Sequence, residues 1–243
     1  MRDLHINKPY GNLLQVGNSN ECGFFDAIFF DMDGLMVDSE PLWLESEREL
    51  TEKFGYIWLA ADQIACLGGP LSRVGEYMFE RCNGVQSPQY FTQSLIDIQR
   101  AKLRGSTPLM PGAIELVRAL QATGIPTALV SASPRNIVDA VLENLDETPF
   151  LFSISSDDVK NTKPHPDCYL LAAKESGADI ARCLIFEDSL TGVAAAKASG
   201  AWLIAVPHLV TVPESARVRS INSLEQLSIH SLRKLYYDFG ALI

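Results

Sequence analysis

The chain has 243 residues, with 20 Lys+Arg against 30 Asp+Glu and a formal net charge of −10. That balance disfavours a nucleic-acid binder, whose affinity is built on clustered cations opposite phosphates. With 47% apolar and 21% charged residues the chain is too apolar for intrinsic disorder, and at this length it needs no disulfide or metal staple to fold.

Residues 1–23 mix Asn, Gly and charge without the apolar middle or small-residue cleavage site of a secretory signal, and read as a poorly ordered tail. Asp26–Phe30 is a short apolar run ending in an acidic, glycine-containing turn, as expected of a strand buried on both faces of a parallel sheet. From Pro41 the strand cadence stops. Helical spacing runs through Pro41–Gly55, Leu71–Gly84 and Ser87–Gly105, with Gly-Pro or Asn-Gly breaks between, which predicts a helical insertion at 41–107 inside a core made of 24–40 and 108–243.

Strand and helix then alternate. Pro111 and Gly124 bracket a helix, and Thr127–Val130 is a strand. Ser133-Pro134 supplies an N-cap and a first-turn proline for a helix through Ile137, Val138, Val141 and Leu142. Phe150–Ile154 is a further strand candidate, Pro166 and Gly177 bracket another helix, and Cys183–Phe186 is a strand. The Ala-rich helix Thr191–Ser199 ends at Gly200, and Trp202–Val206 is the last apolar run. After Pro207 the pattern weakens to a loop and a final helix near Leu224–Leu235. This alternation predicts an α/β fold with a doubly wound, mainly parallel sheet.

No apolar run reaches the roughly 18 residues of a spanning helix, so no membrane association is expected. Cys22, Cys66, Cys82, Cys168 and Cys183 are scattered, as in a cytoplasmic protein with reduced thiols. His5, His165, His208 and His230 form no metal-ligand spacing, and loop or surface positions are expected for all four.

Four strand-end segments carry candidate chemistry. Asp31-Met32-Asp33-Gly34 follows the first strand, where open α/β sheets bind ligands, and two carboxylates so close repel unless a divalent cation or hydrogen-bond donors hold them. An acidic turn capping a strand is the plainer reading. Ser131-Ala132-Ser133 precedes a helix amino terminus and suits an anion, with Ser133 as the cap and Ser131 better explained by a ligand. Lys163, in Lys163-Pro164-His165-Pro166-Asp167, is either an exposed loop lysine or an ammonium placed to neutralise a phosphate. Glu187-Asp188-Ser189 either favours a helix dipole or completes a cage for a hard cation such as Mg²⁺.

In that order these segments resemble the haloacid dehalogenase superfamily, from about Phe24 to Val206, and the helical insertion resembles its cap in the subgroup of β-phosphoglucomutase and sugar-phosphate phosphatases. The resemblance implies that Asp31 is the nucleophile and Asp33 the general acid and base. Mg²⁺ is then held by Asp31, the Asp33 carbonyl and Asp188, with Glu187 assisting, while Ser131 and Lys163 bind the transferring oxygens. It implies a Mg-dependent phosphatase acting on a small phosphorylated metabolite through an aspartyl phosphate, monomeric, without nucleic-acid or membrane partners. Ala132, Ser133, Arg135 and Asn136 beside the phosphate site are further substrate contacts. So is Arg73, in Leu67-Gly68-Gly69-Pro70-Leu71-Ser72-Arg73, whose plainer reading is a solvent-facing helix-start arginine.

Two alternatives stand beside it. A phosphomutase of this subgroup carries a histidine four positions past the Ser or Thr that ends the first motif, whereas Ser39 is followed there by Trp43. A non-catalytic phospholigand-binding module would be suggested by loss of Asp31, Asp33, Lys163 or Asp188, and all four are present.

Overall fold

The computed structural model describes residues 24–66, 70–145, 149–207 and 211–240. The tail at 1–23, the Leu67-Gly68-Gly69 part of the Arg73 loop, Cys22, His5 and His208 lie outside the described residues. The chain divides into two compact units. One comprises Met1–Val37, Leu109–Arg135 and Asp146–Ile243; the other comprises Asp38–Pro108 and Asn136–Leu145.

The first unit is built on six parallel strands: β1 (Ile28–Phe30), β2 (Thr127–Val130), β3 (Phe152–Ile154), β4 (Leu184–Glu187), β5 (Trp202–Ala205) and β6 (Val218–Ser220). Their spatial order is β3-β2-β1-β4-β5-β6. β1 is therefore central, with Phe30 opposite Leu129 on one side and Phe186 on the other. The chain leaves β1 in one direction along the sheet and returns on the other side at β4, the arrangement that opens a crevice at the carboxyl ends of the strands.

Burial on both faces explains the near-continuous apolar strands. Ala27, Phe29, Val130, Ile154, Ile185 and Leu203 share one core cluster with Cys168, Tyr169, Ala172, Val193 and Ala196. The last five come from helices α7 (Asp167–Ser176) and α8 (Leu190–Ser199). On the alternate strand positions, Phe30 stacks on Phe186 with centroids 4.8 Å apart.

The second unit holds α1 (Glu40–Glu52), α2 (Ala60–Cys66), α3 (Leu71–Arg81) and α4 (Pro88–Gly105). Leu50, Trp58, Val74, Met78, Phe91 and Leu95 form its core. Two seams fix it. A Cβ on Gly75 would sit 2.0 Å from Thr92 Oγ1, so only glycine lets α3 approach α4 this closely. Ser46 Oγ donates to Gln99 Oε1 at 2.8 Å across α1 and α4.

Several expectations are corrected. The helical unit takes in 136–145 as well as the insertion, because Asn144 Nδ2 donates to the Leu103 carbonyl and Arg104 pairs with Glu143 at 3.0 Å. The short α2 falls where no helix was expected. β6 falls where a loop was expected; its sequence Val-Arg-Ser buries only its first residue, and a short, charged edge strand lacks the apolar run that marks the central ones. The last helix, α9, spans Ile229–Gly240 rather than starting near Leu224, which lies in a 3₁₀ turn. Two helices of the α/β alternation complete the set, α5 (Ala113–Gln121) and α6 (Arg135–Leu142). Among the described residues no helix is long and apolar enough to cross a membrane, and Cys66, Cys82, Cys168 and Cys183 are free and buried.

Candidate active site

The carboxyl ends of β1, β2 and β4 bring Asp31, Asp33, Ser131, Ser133, Glu187 and Asp188 of the α/β unit together, and Lys163 reaches in from the loop before α7. Lys163 is the hub. Its Nζ donates to Asp31 Oδ1 at 2.5 Å, to Glu187 Oε1 at 2.7 Å and to the Val130 carbonyl at 2.9 Å, which uses all three ammonium protons. Its side chain is only 3% exposed, which excludes the loop-lysine reading. Despite burial, the charges of Asp31 and Glu187 hold the ammonium well above its ordinary pKa.

Glu187 is saturated by donors. Oε1 accepts from Lys163 and from the Tyr169 hydroxyl at 2.6 Å, and Oε2 accepts from the Asp188 N–H at 3.2 Å and Ser189 Oγ at 3.4 Å. The Tyr169 ring also lies under the ammonium, 4.9 Å from Nζ. α8 begins on Ser189, which accepts from the Gly192 N–H at 3.0 Å, so the bland capping role belongs to Ser189 and not to the acids before it.

Asp31 and Asp188 are the uncompensated members. Burial, then the charge of Glu187, pushes the Asp31 carboxyl up to about 8 against the pull of Lys163. Burial, Asp31 and Glu187 push Asp188 well above the usual carboxylate range. Asp188 Oδ1 is buried with no hydrogen-bond partner among the described residues. Ligand oxygens of Asp31, Glu187 and Asp188 all lie within 4.8 Å of one another. Three carboxylates against one ammonium, all hard oxygen donors and one of them orphaned, fit a hard divalent cation and not a soft one.

Asp33 is held differently. Its Oδ2 accepts from Ser133 Oγ at 2.8 Å and faces Ser131 Oγ at 3.4 Å. Ser133 Oγ therefore spends its proton on Asp33. Ser131 Oγ takes the local bond from the Ser133 N–H at 2.9 Å, while Asp157 accepts the Arg135 N–H at the start of the helix. Of the backbone donors in this turn, the Ser131 N–H belongs to the sheet through Ile154, and among the described residues the Ala132 N–H takes no acceptor.

The Arg135 guanidinium donates to Ser153 Oγ at 2.7 Å, to the Ser153 carbonyl and to Asp158. Asn136 and Arg73 belong to the helical unit. Arg73 donates to the Ala65 carbonyl and Asn136 Oδ1 is buried without a partner. His165 is exposed and contacts Asp167.

Two contributors, Tyr169 and Gly192, escaped sequence reasoning. Tyr169 looked like one more apolar helix residue, although a buried phenol needs a polar partner. Gly192 lies inside a helix, where glycine costs about 1 kcal/mol and so asks for a reason. The reason is that a Cβ there would lie 1.9 Å from the Glu187 carboxyl. Gly34, at φ +79°, admits Asp188, whose Oδ2 would be 2.2 Å from any Cβ.

The model of haloacid dehalogenase-like hydrolases matches residues 25–200. Hexitol phosphatase B of Escherichia coli (strain K12) is 33% identical over 185 residues, covering 74% of this chain and 83% of that protein. A fructose-1-phosphate phosphatase of the same strain is 28% identical over 177 residues, covering 72% and 93%. Among solved structures, a putative beta-phosphoglucomutase from Thermotoga maritima superposes with a TM-score of 0.69 at 27% identity, covering 86% of this chain and 97% of that one.

Proposed function

Because the chain belongs to the haloacid dehalogenase-like hydrolases, we propose that it is a Mg²⁺-dependent phosphatase that cleaves a small phosphate monoester, a sugar phosphate or similar metabolite, through an aspartyl phosphate. The observation that carries this reading is the convergence of Asp31 and Asp33, Ser131, Lys163 and Asp188 from four separate stretches of chain onto one strand-end cluster. Asp31 and Asp188, with the Asp33 carbonyl and Glu187 behind them, would hold Mg²⁺, which when bound shields the nucleophile from the charge of the incoming phosphate.

The residues divide the work. Lys163 fixes Asp31 Oδ1, and among the described residues Oδ2 takes no hydrogen bond, so Oδ2 is the oxygen presented to phosphorus. Its attack forms the Asp31–phosphorus bond and breaks the phosphorus–alkoxide bond. Asp33, aimed by Ser133 and Ser131, gives the leaving alkoxide its proton. Water then attacks phosphorus, returns a proton to Asp33 and frees phosphate and Asp31. The Ser131 hydroxyl and Ala132 N–H bind the transferring oxygens, and the helical unit serves as the cap that supplies specificity.

Hydrolysis is favoured over a mutase reaction by Trp43, an indole at the position where the mutase pattern has a histidine. The test is release of inorganic phosphate from p-nitrophenyl phosphate and a panel of sugar phosphates, with Mg²⁺ and with excess chelator. Metal-dependent release is expected. No release from any ester by folded protein with Mg²⁺ present would favour a phospholigand-binding module, and isomer formation without phosphate release would favour the mutase.

A further inference from the structure

The α/β unit puts a second donor on the acid that holds Lys163, and the chemistry above gives that donor no task. Tyr169, in the first turn of α7, is fully buried, and a buried phenol needs an acceptor. Its hydroxyl donates to Glu187 Oε1 at 2.6 Å, the oxygen that also accepts from Lys163 Nζ at 2.7 Å. A carboxylate offers about four acceptor sites, shared between its two oxygens. Glu187 has a donor for each: Tyr169 and Lys163 on Oε1, the Asp188 N–H and Ser189 Oγ on Oε2. The carboxylate is therefore held against rotation, and on Oε1 the phenol leaves the ammonium a single place.

That place matters because the ammonium has no slack. From it Nζ also reaches Asp31 Oδ1 at 2.5 Å and the Val130 carbonyl at 2.9 Å, so each of its protons has one acceptor. The Tyr169 ring centroid is 4.9 Å from Nζ, and the same side chain thus confines the ammonium by contact as well as through the shared oxygen. Without the hydroxyl, Oε1 would keep an empty acceptor site and a stronger pull on the one cation beside it, drawing Nζ toward Glu187 and away from Asp31. Packing alone would be served by phenylalanine, which fills the same space with no hydroxyl to satisfy. We propose that Tyr169 is a positioning residue for the reaction: by filling one acceptor site of Glu187 Oε1, its hydroxyl fixes the Lys163 ammonium on Asp31 Oδ1 and so keeps Oδ2 aimed at phosphorus. This rests on the phosphatase reading and deepens it, while the placement of the ammonium can be read without any turnover.

The test is Tyr169→Phe, which keeps the ring and deletes only the hydroxyl. Its kcat for p-nitrophenyl phosphate is expected to fall about tenfold or more, with KM within about twofold of wild type, because the ester still binds and only the attacking oxygen is misaimed. A residue that merely supports the fold would lower the melting temperature and leave kcat of the folded variant alone. The ammonium is read separately, in proton–nitrogen correlation spectra of metal-free protein labelled at lysine, where the peak lost in Lys163→Met marks the buried group. In wild type this peak resists exchange with water; in Tyr169→Phe it is expected to move and to exchange at least about tenfold faster. Either an unchanged peak or an unchanged kcat in the folded variant would overturn the proposal, as would a loss carried by KM instead. A wild-type spectrum with no protected lysine ammonium also overturns it, whether or not the variant folds. If wild-type protein with Mg²⁺ cleaves no ester, the phosphatase reading falls, and the ammonium spectrum still decides what Tyr169 does to Lys163.

Discussion

Both units bury acids, and the acids differ in how completely the fold answers them. In the helical unit Asp62 accepts from the Leu59 N–H at 2.8 Å, the Tyr77 hydroxyl at 2.8 Å and the Tyr56 hydroxyl at 2.9 Å. Against its burial those bonds hold its carboxyl below the usual range. In the α/β unit Glu187 is answered as fully, by Lys163, Tyr169, Ser189 and the Asp188 N–H. Asp31 and Asp188 are not: burial and neighbouring carboxylates push both upward, and among the described residues Asp188 Oδ1 has no partner; Glu47 is pushed upward by burial against the pull of a hydrogen bond from Trp58. A carboxylate that the protein satisfies is part of the scaffold, and one left short of donors waits for a ligand, since an unpaired buried polar group costs the desolvation that its partner would offset.

That contrast can be broken at either end. The largest effect is expected at Asp31: Asp31→Asn removes the attacking oxygen at nearly constant volume, so kcat falls by at least about a thousandfold while circular dichroism and melting stay near wild type. Retained turnover would end the nucleophile assignment. Next is Gly192→Ala, which drives a methyl group into the Glu187 carboxyl and is expected to cost about 3 kcal/mol in urea unfolding, with activity lost as Lys163 is displaced. A neutral outcome would show that Glu187 is not held in place by this close approach.

Glu47 gives the pH test. Its folded pKa of about 7 lies above the ordinary 4.5, so the folded chain binds the proton more tightly than the unfolded one. Stability from this group is full below about pH 4.5 and is lost as pH rises through about 7, by up to about 3 kcal/mol. Urea titrations of wild type and Glu47→Gln at about pH 5 and pH 8 should show the wild type losing more between the two, and parallel behaviour would mean the carboxylate is already answered. The smallest effect is expected at a satisfied acid. Tyr56→Phe deletes one of three donors to Asp62 and should cost about 1 kcal/mol.

Much of the site could be read in one dimension because its pieces sit where strand ends and helix starts must fall. The apolar runs at 28–30, 127–130, 184–187 and 202–205 are buried on both faces, and such strands announce themselves; β6, polar and at the edge, does not. Ser131 and Ser133 could be placed beside the helix start, but the bond from Ser133 to Asp33 could not be read, because a hydroxyl there has two partners within reach and only the position of Asp33 decides between them.

By itself the sequence determined the alternation of the central strands and helices, the four segments that carry acids, serines and lysine, and the charge balance that disfavours a nucleic-acid partner. These follow from local pattern and composition, which need no partner across space. Only the tertiary structure decided which acids are answered: that Lys163 spends all three protons inside the protein, that Tyr169 and Gly192 serve Glu187, and that Glu47, one of many charges on an amphipathic helix, is buried against the Trp58 indole. Hydrogen bonding and desolvation depend on what lies within about 3 Å in space, and residues far apart in the chain become neighbours there only once it has folded.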